Sequence, residues 1–200
     1  MRGGLFSLFF VSCLIPAISR AEMHDVSQAS AARIAPGKVE VRVITPASAQ
    51  DTMVAFTANM TRAGQLAQLL GDNIYKVDSL VVTGPVDDSD FNTMYEATYN
   101  GRLTALNLRQ AVVANGVIPR NAFYHSDQFD GEHDILYTTK LKRLILPQEL
   151  DSIGNYAFGN SMRLEEIVLP SKLRAIGNSA FYSCQKLKTS PLAFPEGLEK

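Results

Sequence analysis

The segment 125–134 concentrates the side chains best suited to metal chemistry. It holds two of the three histidines of the chain, His125 and His133. It also carries four acidic residues: Asp127, Asp130, Glu132 and Asp134. Imidazole nitrogens and carboxylate oxygens bind zinc, and a zinc-bound water is a nucleophile at neutral pH. The spacing matches neither H-x-x-x-H nor H-E-x-x-H, so we expect a polar loop without a resident metal, with a metal-dependent enzyme as an alternative.

The acidic run at residues 87–90, Asp-Asp-Ser-Asp, is a candidate calcium cluster. Calcium loops supply roughly six or more oxygen ligands at set spacings, and this run lacks the remaining ligands. Asp and Ser are also the residues that cap helix N-termini. We therefore predict that the run begins a short helix that continues through Ala97.

Composition and motif content narrow the possible functions. The chain has 46% hydrophobic and 20% charged residues and a net charge of -1, which describes a folded chain without an electrostatic footprint for nucleic acid or anionic lipid. It contains no G-x-S-x-G motif, phosphate loop or dinucleotide fingerprint. We predict a protein that is not an enzyme and uses no cofactor.

Residues 1–21 have the pattern of a secretory signal peptide. An early cation, Arg2, precedes an apolar stretch that Pro16 interrupts, and this stretch is shorter than the roughly 20 residues of a spanning helix. Small residues at Ser19 and Ala21 predict cleavage after Ala21. A lipoprotein signal acylated at Cys13 is the alternative. The mature chain would carry 17 basic and 20 acidic side chains and one thiol, Cys184.

A repeat of 23 residues organises the C-terminal part of the chain. Residues 141–163 align without a gap on residues 164–186, and nine of the 23 positions are identical. The shared pattern is L-x-x-L-x-L-P-x-x-L-x-x-I-G-N-x-A-F. A unit of this length cannot bury its own apolar face, whereas stacked units share a continuous core.

Each part of the pattern predicts a local structure. The first six residues form a strand with the first, fourth and sixth side chains inward, and proline ends it. The Gly-Asn pair supplies a position tolerant of positive φ and then a cap for a short helical turn. This turn buries Ala-Phe, so Phe158 and Phe181 are expected to be fully buried and stacked on each other.

Divergent copies extend the array and divide the chain. We assign residues 77–200 to the repeats, with divergent copies at 77–102 and 103–140 and a partial copy at 187–200. The preceding domains are assigned to a flexible leader, 22–36, and an N-terminal hairpin and helix cap, 37–76. In that cap, residues 38–45 and 53–57 alternate as paired strands, and 62–70 form a helix capped by Thr61 and stopped by Gly71.

The repeat pattern resembles the BspA-type leucine-rich repeat of bacterial secreted and cell-surface proteins. The resemblance covers about residues 60 to 200, with departures at Ser126, Ser161 and Pro119. It implies an α/β repeat fold, a leucine-rich repeat solenoid of 23-residue coils with a parallel strand ladder and an N-terminal capping region. It further implies a secreted or surface-exposed protein that mediates protein interaction or adhesion, for example to a host matrix protein or another cell-surface protein.

The alignment also predicts the role of Cys184. This residue occupies the position held by Ser161 and Ser126 in the preceding copies. Because small residues replace one another there, we predict a buried structural thiol and not a nucleophile.

The outward side chains of the predicted strands form the candidate binding face. Charges alternate between successive copies at the second and third positions, which favours pairing between neighbouring strands. The fifth position adds an apolar stripe. The candidate residues are Lys142, Arg143, Ile145, Glu165, Glu166, Val168 and Lys188.

Two further expectations concern the partners of the protein. The copy that begins at Leu187 stops at Lys200 before its Ile-Gly-Asn-x-Ala-Phe half, so we expect self-association through an uncapped coil. Carbohydrate binding at the cell envelope is the alternative to protein binding, although the chain has no tryptophan. No partner nucleic acid or membrane span is expected.

Overall fold

The computed structural model of the chain describes residues 36–37, 39–44, 53–124, 138–188 and 197. The predicted signal peptide, the histidine-rich segment 125–134 and most of the partial copy 187–200 lie outside these ranges. The described strands are β1 (Val39–Ile44), β2 (Met53–Asn59), β3 (Ser79–Val86), β4 (Ala105–Val113), β5 (Val117–Ile118), β6 (Arg143–Ile145), β7 (Ser152–Ile153), β8 (Glu166–Val168) and β9 (Ala175–Ile176). The helices are α1 (Leu66–Leu70), α2 (Asp88–Tyr99) and two 3-10 helices, Gly71–Tyr75 and Ala114–Gly116.

The described strands form two sheets. The larger has the order β1-β2-β3-β4-β6-β8, and the smaller has the order β5-β7-β9. All neighbouring strands are parallel except β1, which pairs antiparallel with β2. Parallel strands joined by helices and turns, in a repeating order, constitute an α/β repeat fold.

The register of the larger sheet aligns the apolar positions of the repeat. Leu80 pairs with Leu106, Leu106 with Leu144, and Leu144 with Ile167, and all four side chains are buried. The first and sixth leucines of the 141–163 copy, Leu141 and Leu146, are buried as well. The inward positions of this copy are therefore as predicted.

The parallel ladder begins one strand earlier than the sequence indicates. The sequence predicts residues 53–57 only as a hairpin partner of the preceding strand, and that antiparallel pairing is present. On its other side, however, β2 pairs in parallel with β3, with Phe56 opposite Leu80. This strand has phenylalanine where the later copies have leucine, and the rest of the repeat pattern does not follow it. The sequence therefore did not indicate the parallel pairing of β2 with β3.

The smaller sheet was not anticipated from the sequence. In the 141–163 copy, β6 spans three residues instead of the six predicted, and β7 follows at Ser152–Ile153. Ile118, Ile153 and Ile176 stand in register in this second sheet. The isoleucine of the motif therefore belongs to a strand. The sequence pattern had indicated only that it precedes the next turn.

The Gly-Asn pair has a different role from the one predicted. Positive φ angles occur two residues after each glycine, at Tyr156 (54°) and Ser179 (55°). Gly154 is required for close packing instead, because a Cβ there would lie 2.7 Å from the backbone of Ile118 and Arg120. The Asn155 side chain accepts a hydrogen bond from the backbone N–H of Asn178 in the next copy, at 2.8 Å.

Three phenylalanines of successive copies stack in a column. Phe123 and Phe158 have ring centroids 5.5 Å apart, and Phe158 and Phe181 have centroids 5.4 Å apart. Phe91 of α2 meets Phe123 edge to face at 6.3 Å. Phe158 is fully buried as predicted, but Phe181 is only partly buried, and the prediction of full burial was wrong for that ring.

The helix of the N-terminal region is shorter than predicted. The structure begins α1 at Leu66 and not at Arg62, and the side chain of its N-cap residue, Gln65, makes no capping hydrogen bond. Thr61 Oγ1 instead donates a hydrogen bond to Gln65 Oε1 at 3.0 Å. Gly71 does end α1, with a φ of 51°, and the chain then continues into a 3-10 helix.

Removing the central ring of the phenylalanine column should be costly. We expect Phe158→Ala to lower the free energy of unfolding by about 3–5 kcal/mol, because it leaves a cavity between two rings. Phe181→Ala should cost less, since that ring is partly exposed. Urea denaturation measures both, with the exposed Tyr182→Ala as a control. A loss below about 1 kcal/mol for Phe158→Ala would contradict the packing described.

A methyl group at Gly154 should separate neighbouring copies. We expect Gly154→Ala to destabilise the protein by about 1–3 kcal/mol, because the added Cβ overlaps backbone atoms that cannot move independently. Ser171→Ala, at an exposed position, is the matched control and should change stability by less than about 0.5 kcal/mol. Equal urea midpoints for the two variants would show that the backbones are not in close contact.

Candidate functional site

The acidic run at residues 87–90 caps a helix, as predicted. The Asp87 side chain accepts hydrogen bonds from the backbone N–H groups of Ser89 and Asp90, and the Asp90 side chain accepts from the backbone of Asp87. The hydroxyl of Ser89 also donates to Asp87 at 2.7 Å, and this bond is the main cause that lowers the pKa of Asp87. The helix continues to Tyr99, two residues beyond the predicted Ala97.

Asp90 is the most buried acid of this run, with 1% of its surface exposed. Its carboxylate accepts hydrogen bonds from the backbone N–H groups of Gly64 at 2.7 Å and Leu66 at 3.0 Å. It therefore fastens the start of α1 to the start of α2. Throughout the ranges that the structure describes, no three His, Cys, Asp or Glu residues gather in a way that would hold a metal ion.

Cys184 is a partly buried thiol in the turn after the phenylalanine column. Its Sγ donates a hydrogen bond to the carbonyl oxygen of Phe158 at 3.1 Å. Burial raises the pKa of this thiol to about 12. Ser161, its counterpart 23 residues earlier, is buried and accepts a hydrogen bond from Thr139 Oγ1. Both residues make contacts that hold turns together, and Ser126 lies outside the described residues.

The predicted binding face is formed by the outward side chains of β6 and β8 and the residues just before them. We call it the outer strand face. Lys142, Glu166, Val168 and Lys188 are exposed, and Arg143 and Glu165 are half-buried. The backbone N–H of Glu165 donates to Lys142 O, and that of Lys188 donates to Glu165 O. The second positions of three successive copies therefore lie side by side.

The apolar stripe of this face is only partly accessible. Val168 exposes 44% of its surface, whereas Ile145 exposes 8%. Ile145 lies on a strand with a neighbour on each side, opposite Asn107 of β4 and Val168 of β8. Of the two residues predicted to form the apolar stripe, Ile145 is therefore largely buried and Val168 is exposed.

The charges of the outer strand face pair diagonally. Among the described residues of this face, Lys188 Nζ lies 3.7 Å from Glu166 Oε1, which joins a second position to a third position. The alternating charges in the sequence predicted pairs between residues at the same position of successive copies. A same-position pair does form in the next turn, between Lys172 and Glu149, which are 23 residues apart. Both pairs are solvent-exposed and contribute little to stability.

A groove of about 300 Å³ adjoins the outer strand face at the ends of β6 and β8. Ile145 and Val168 belong to both the face and the groove. Arg109, which the sequence analysis did not select, forms part of the groove lining. Other residues of the lining are Glu149, Pro170 and Lys172. We call this feature the Arg109 groove.

Residues 132–200 match a protein-family model described as the BspA type Leucine rich repeat region (6 copies). Over these residues the chain is similar to the BspA-type leucine-rich repeat family. The resemblance seen in the sequence is thereby confirmed for these residues. No curated protein matches the chain.

The BspA-type region contains the outer strand face together with most of the Arg109 groove. Strands β6 and β8, which carry the face, lie within residues 132–200, whereas Arg109 comes from β4, before the region begins. Leucine-rich repeats of this type suggest a protein that interacts with other proteins. The arrangement of side chains on the described strands can provide charge pairs and apolar contact to a partner.

The raised pKa of Cys184 predicts slow labelling in the native state. A thiol reacts as the thiolate, and a pKa of about 12 leaves that form scarce at pH 8. We expect slow maleimide labelling of the native protein, fast labelling in denaturant, and a native rate that still rises with pH above 9, where a free thiol has levelled off. Cys184→Ser controls for other sites, and equal native and denatured rates at pH 8 would contradict burial.

Proposed function

We propose that this protein is a secreted or surface-exposed leucine-rich repeat solenoid that binds other proteins through its outer strand face. The observation that carries the proposal is the register of β4, β6 and β8, which turns one set of side chains inward and aligns the other on one face. Binding of this kind needs an extended surface and no cofactor. The protein would act by adhesion or protein interaction, without catalysis.

The regular step between copies supports a solenoid of 23-residue coils. Arg143 pairs with Glu166 and Ser152 with Ala175, and each pair is separated by 23 residues. The column of Phe123, Phe158 and Phe181 stacks in the same order. In a solenoid, each coil contacts only its neighbours and shares one continuous core with them.

The antiparallel strand β1 supports an N-terminal capping region. It forms the first edge of the larger sheet and pairs along six residues of β2, from Val39 opposite Ala58 to Ile44 opposite Met53. An edge strand of opposite direction covers the first parallel strand and interrupts the parallel ladder there. We therefore propose that residues 37–76 cap the array, with β2 also contributing its first rung.

Secretion would follow from the signal peptide proposed at residues 1–21, with cleavage after Ala21. The pattern of the sequence supports it, as does the typical location of BspA-type proteins at the surface or outside the cell. No helix in the described ranges is both long enough and apolar enough to cross a membrane. A host matrix protein or a protein of another cell is the partner we propose.

Self-association through the last coil is a further part of the proposal. Lys188 continues the ladder by donating its backbone N–H to Glu165 O, which supports a coil starting at Leu187. Leu192, Phe194 and Leu198, the apolar residues of that coil, lie outside the described residues. Light scattering on the protein with and without one appended polar coil would test whether an open end drives association.

Carbohydrate binding remains the second candidate because tyrosines meet in pairs. Tyr95 and Tyr99 stack at 5.5 Å, and Tyr124 meets Tyr156 edge to face at 5.6 Å. Stacking places the Tyr95 ring against Tyr99, so that one face of each is already covered. This geometry favours protein binding over a flat sugar platform, and a glycan array separates the two candidates.

Two substitutions on the outer strand face should abolish partner binding without unfolding the protein. We expect Glu166→Lys with Val168→Asp to weaken capture by fibronectin, laminin or another matrix protein by about tenfold or more, since both side chains are exposed on the face. Surface plasmon resonance measures the affinity, and the thermal midpoint verifies folding. Arg174→Glu, an exposed charge reversal away from the face, is the matched control and should bind as the parent does.

The proposal fails if the double variant and Arg174→Glu bind a matrix protein equally well. It also fails if no protein of the matrix or of another cell surface binds the parent while a glycan on the array does.

A further inference from the structure

We propose that the Arg109 groove recognises a carboxylate side chain, Asp or Glu, on an extended segment of the partner protein. The inference rests on the proposed function, because the groove continues the outer strand face through Ile145 and Val168. It adds the chemical class of residue that the partner must present. We infer this from the position of Arg109 in β4, from its charge, and from the other residues that line the groove.

A β-bulge determines where Arg109 points. In the pairing of β3 with β4, Val81 stands opposite Asn107 but Thr83 stands opposite Gln110, so β4 contains one extra residue at this point. The Asn107 side chain accepts a hydrogen bond from the backbone N–H of Arg109 at 3.0 Å. Bulges redirect side chains and are frequent beside binding sites.

The bulge is also tied to the turn that follows β6. The backbone N–H of Gln148 donates to the carbonyl oxygen of Arg109 at 3.2 Å. The pairing between β4 and β6 ends at Asn107 and Ile145, so this bond fixes Arg109 just beyond the last paired residues. Its backbone is therefore held at the edge of the groove, which reduces the freedom that a ligand would otherwise have to restrict.

The groove carries one charge that the described residues do not balance. Of its charged lining residues, Lys172 and Glu149 pair with each other. Arg109 takes part in none of the ion pairs of the described ranges, and its Nε is buried without a hydrogen-bond partner there. A buried N–H without a partner is costly, and a guanidinium satisfies its donors best with a carboxylate, which accepts two parallel hydrogen bonds.

The walls of the groove favour a polypeptide over a free anion. Val168 exposes 44% of its surface and supplies the accessible apolar part of the lining, whereas Ile145 and Pro170 are buried within it. A volume of about 300 Å³ accommodates one or two side chains, and the neighbouring outer strand face extends the contact beyond the groove. An acidic residue flanked by branched apolar residues matches both parts, because its carboxylate reaches Arg109 while a neighbour covers the exposed Val168.

The test compares two short peptides that differ in one group. Acetyl-Val-Glu-Val-amide and acetyl-Val-Gln-Val-amide are titrated into the isotope-labelled protein, and NMR follows Arg109 Nε–H and the methyl groups of Ile145 and Val168. We expect the Glu peptide to shift all three sets of signals and to bind about tenfold more tightly than the Gln peptide. Sodium acetate alone should bind more weakly than the Glu peptide.

Variants of Arg109 decide whether the guanidinium is responsible. Arg109→Gln should make the two peptides bind equally weakly, and Arg109→Lys should keep part of the preference because it retains charge without the planar fork. Arg174→Gln is the matched control for a lost exposed cation and should keep the full preference. Thermal melting verifies that each variant is folded.

Three results would overturn the inference. They are the absence of any shift with millimolar Glu peptide, a preference for Glu that persists in Arg109→Gln, and acetate binding as tight as that of the Glu peptide. None of these depends on the matrix-protein assay. If Glu166→Lys with Val168→Asp abolishes capture of the partner while Arg109→Gln leaves the peptide preference intact, the binding face stands and only the carboxylate site is lost.

Discussion

Contact between successive coils holds the described repeats together, because the strands within one coil are too short to be stable alone. Strands β6 and β8 have three residues each, and β7 and β9 have two. Each gains its hydrogen bonds from the neighbouring coil, while Phe158 buries both ring faces against the coils before and after it. Gly154 allows the backbones to approach closely enough for both contacts to form. Energetic effects of substitutions in contacting residues of adjacent copies therefore do not add independently.

The surface available for binding follows from the same stacking. Residues that turn inward are restricted to leucine, isoleucine and phenylalanine by the core, whereas the alternate residues meet solvent or a partner and vary freely in type. This explains how Lys142 and Glu165 occupy equivalent positions with opposite charges. Arg109 departs from the regular alternation because the bulge in β4 inserts a residue. A local irregularity in one strand thus adds a cation beside an otherwise periodic face.

The periodic features were predictable from the sequence, and the features set by neighbouring coils were not. Spacing alone indicated that Leu144 and Ile167 align and that Phe158 stacks on Phe181, because a gapless repeat places equivalent residues at equivalent positions. It did not indicate that β2 joins the ladder, since Phe56 replaces leucine there. Spacing also did not indicate that Ile145 is buried or that Arg109 lines a groove. Both features depend on the side chains of neighbouring strands, and the pattern of a single copy does not indicate which side chains those are.

The phenylalanine column implies a direction of curvature. Its ring centroids are 5.4 and 5.5 Å apart, whereas neighbouring strands in a sheet lie about 4.7–4.9 Å apart. The side of the stack that carries the rings is therefore longer at each step than the side that carries the strands. Successive ring planes are also inclined by 13° and 11°, so the two steps are nearly equal. An array that kept this difference at every step would be concave on the strand side, and a rounded partner would touch more copies there than a flat one.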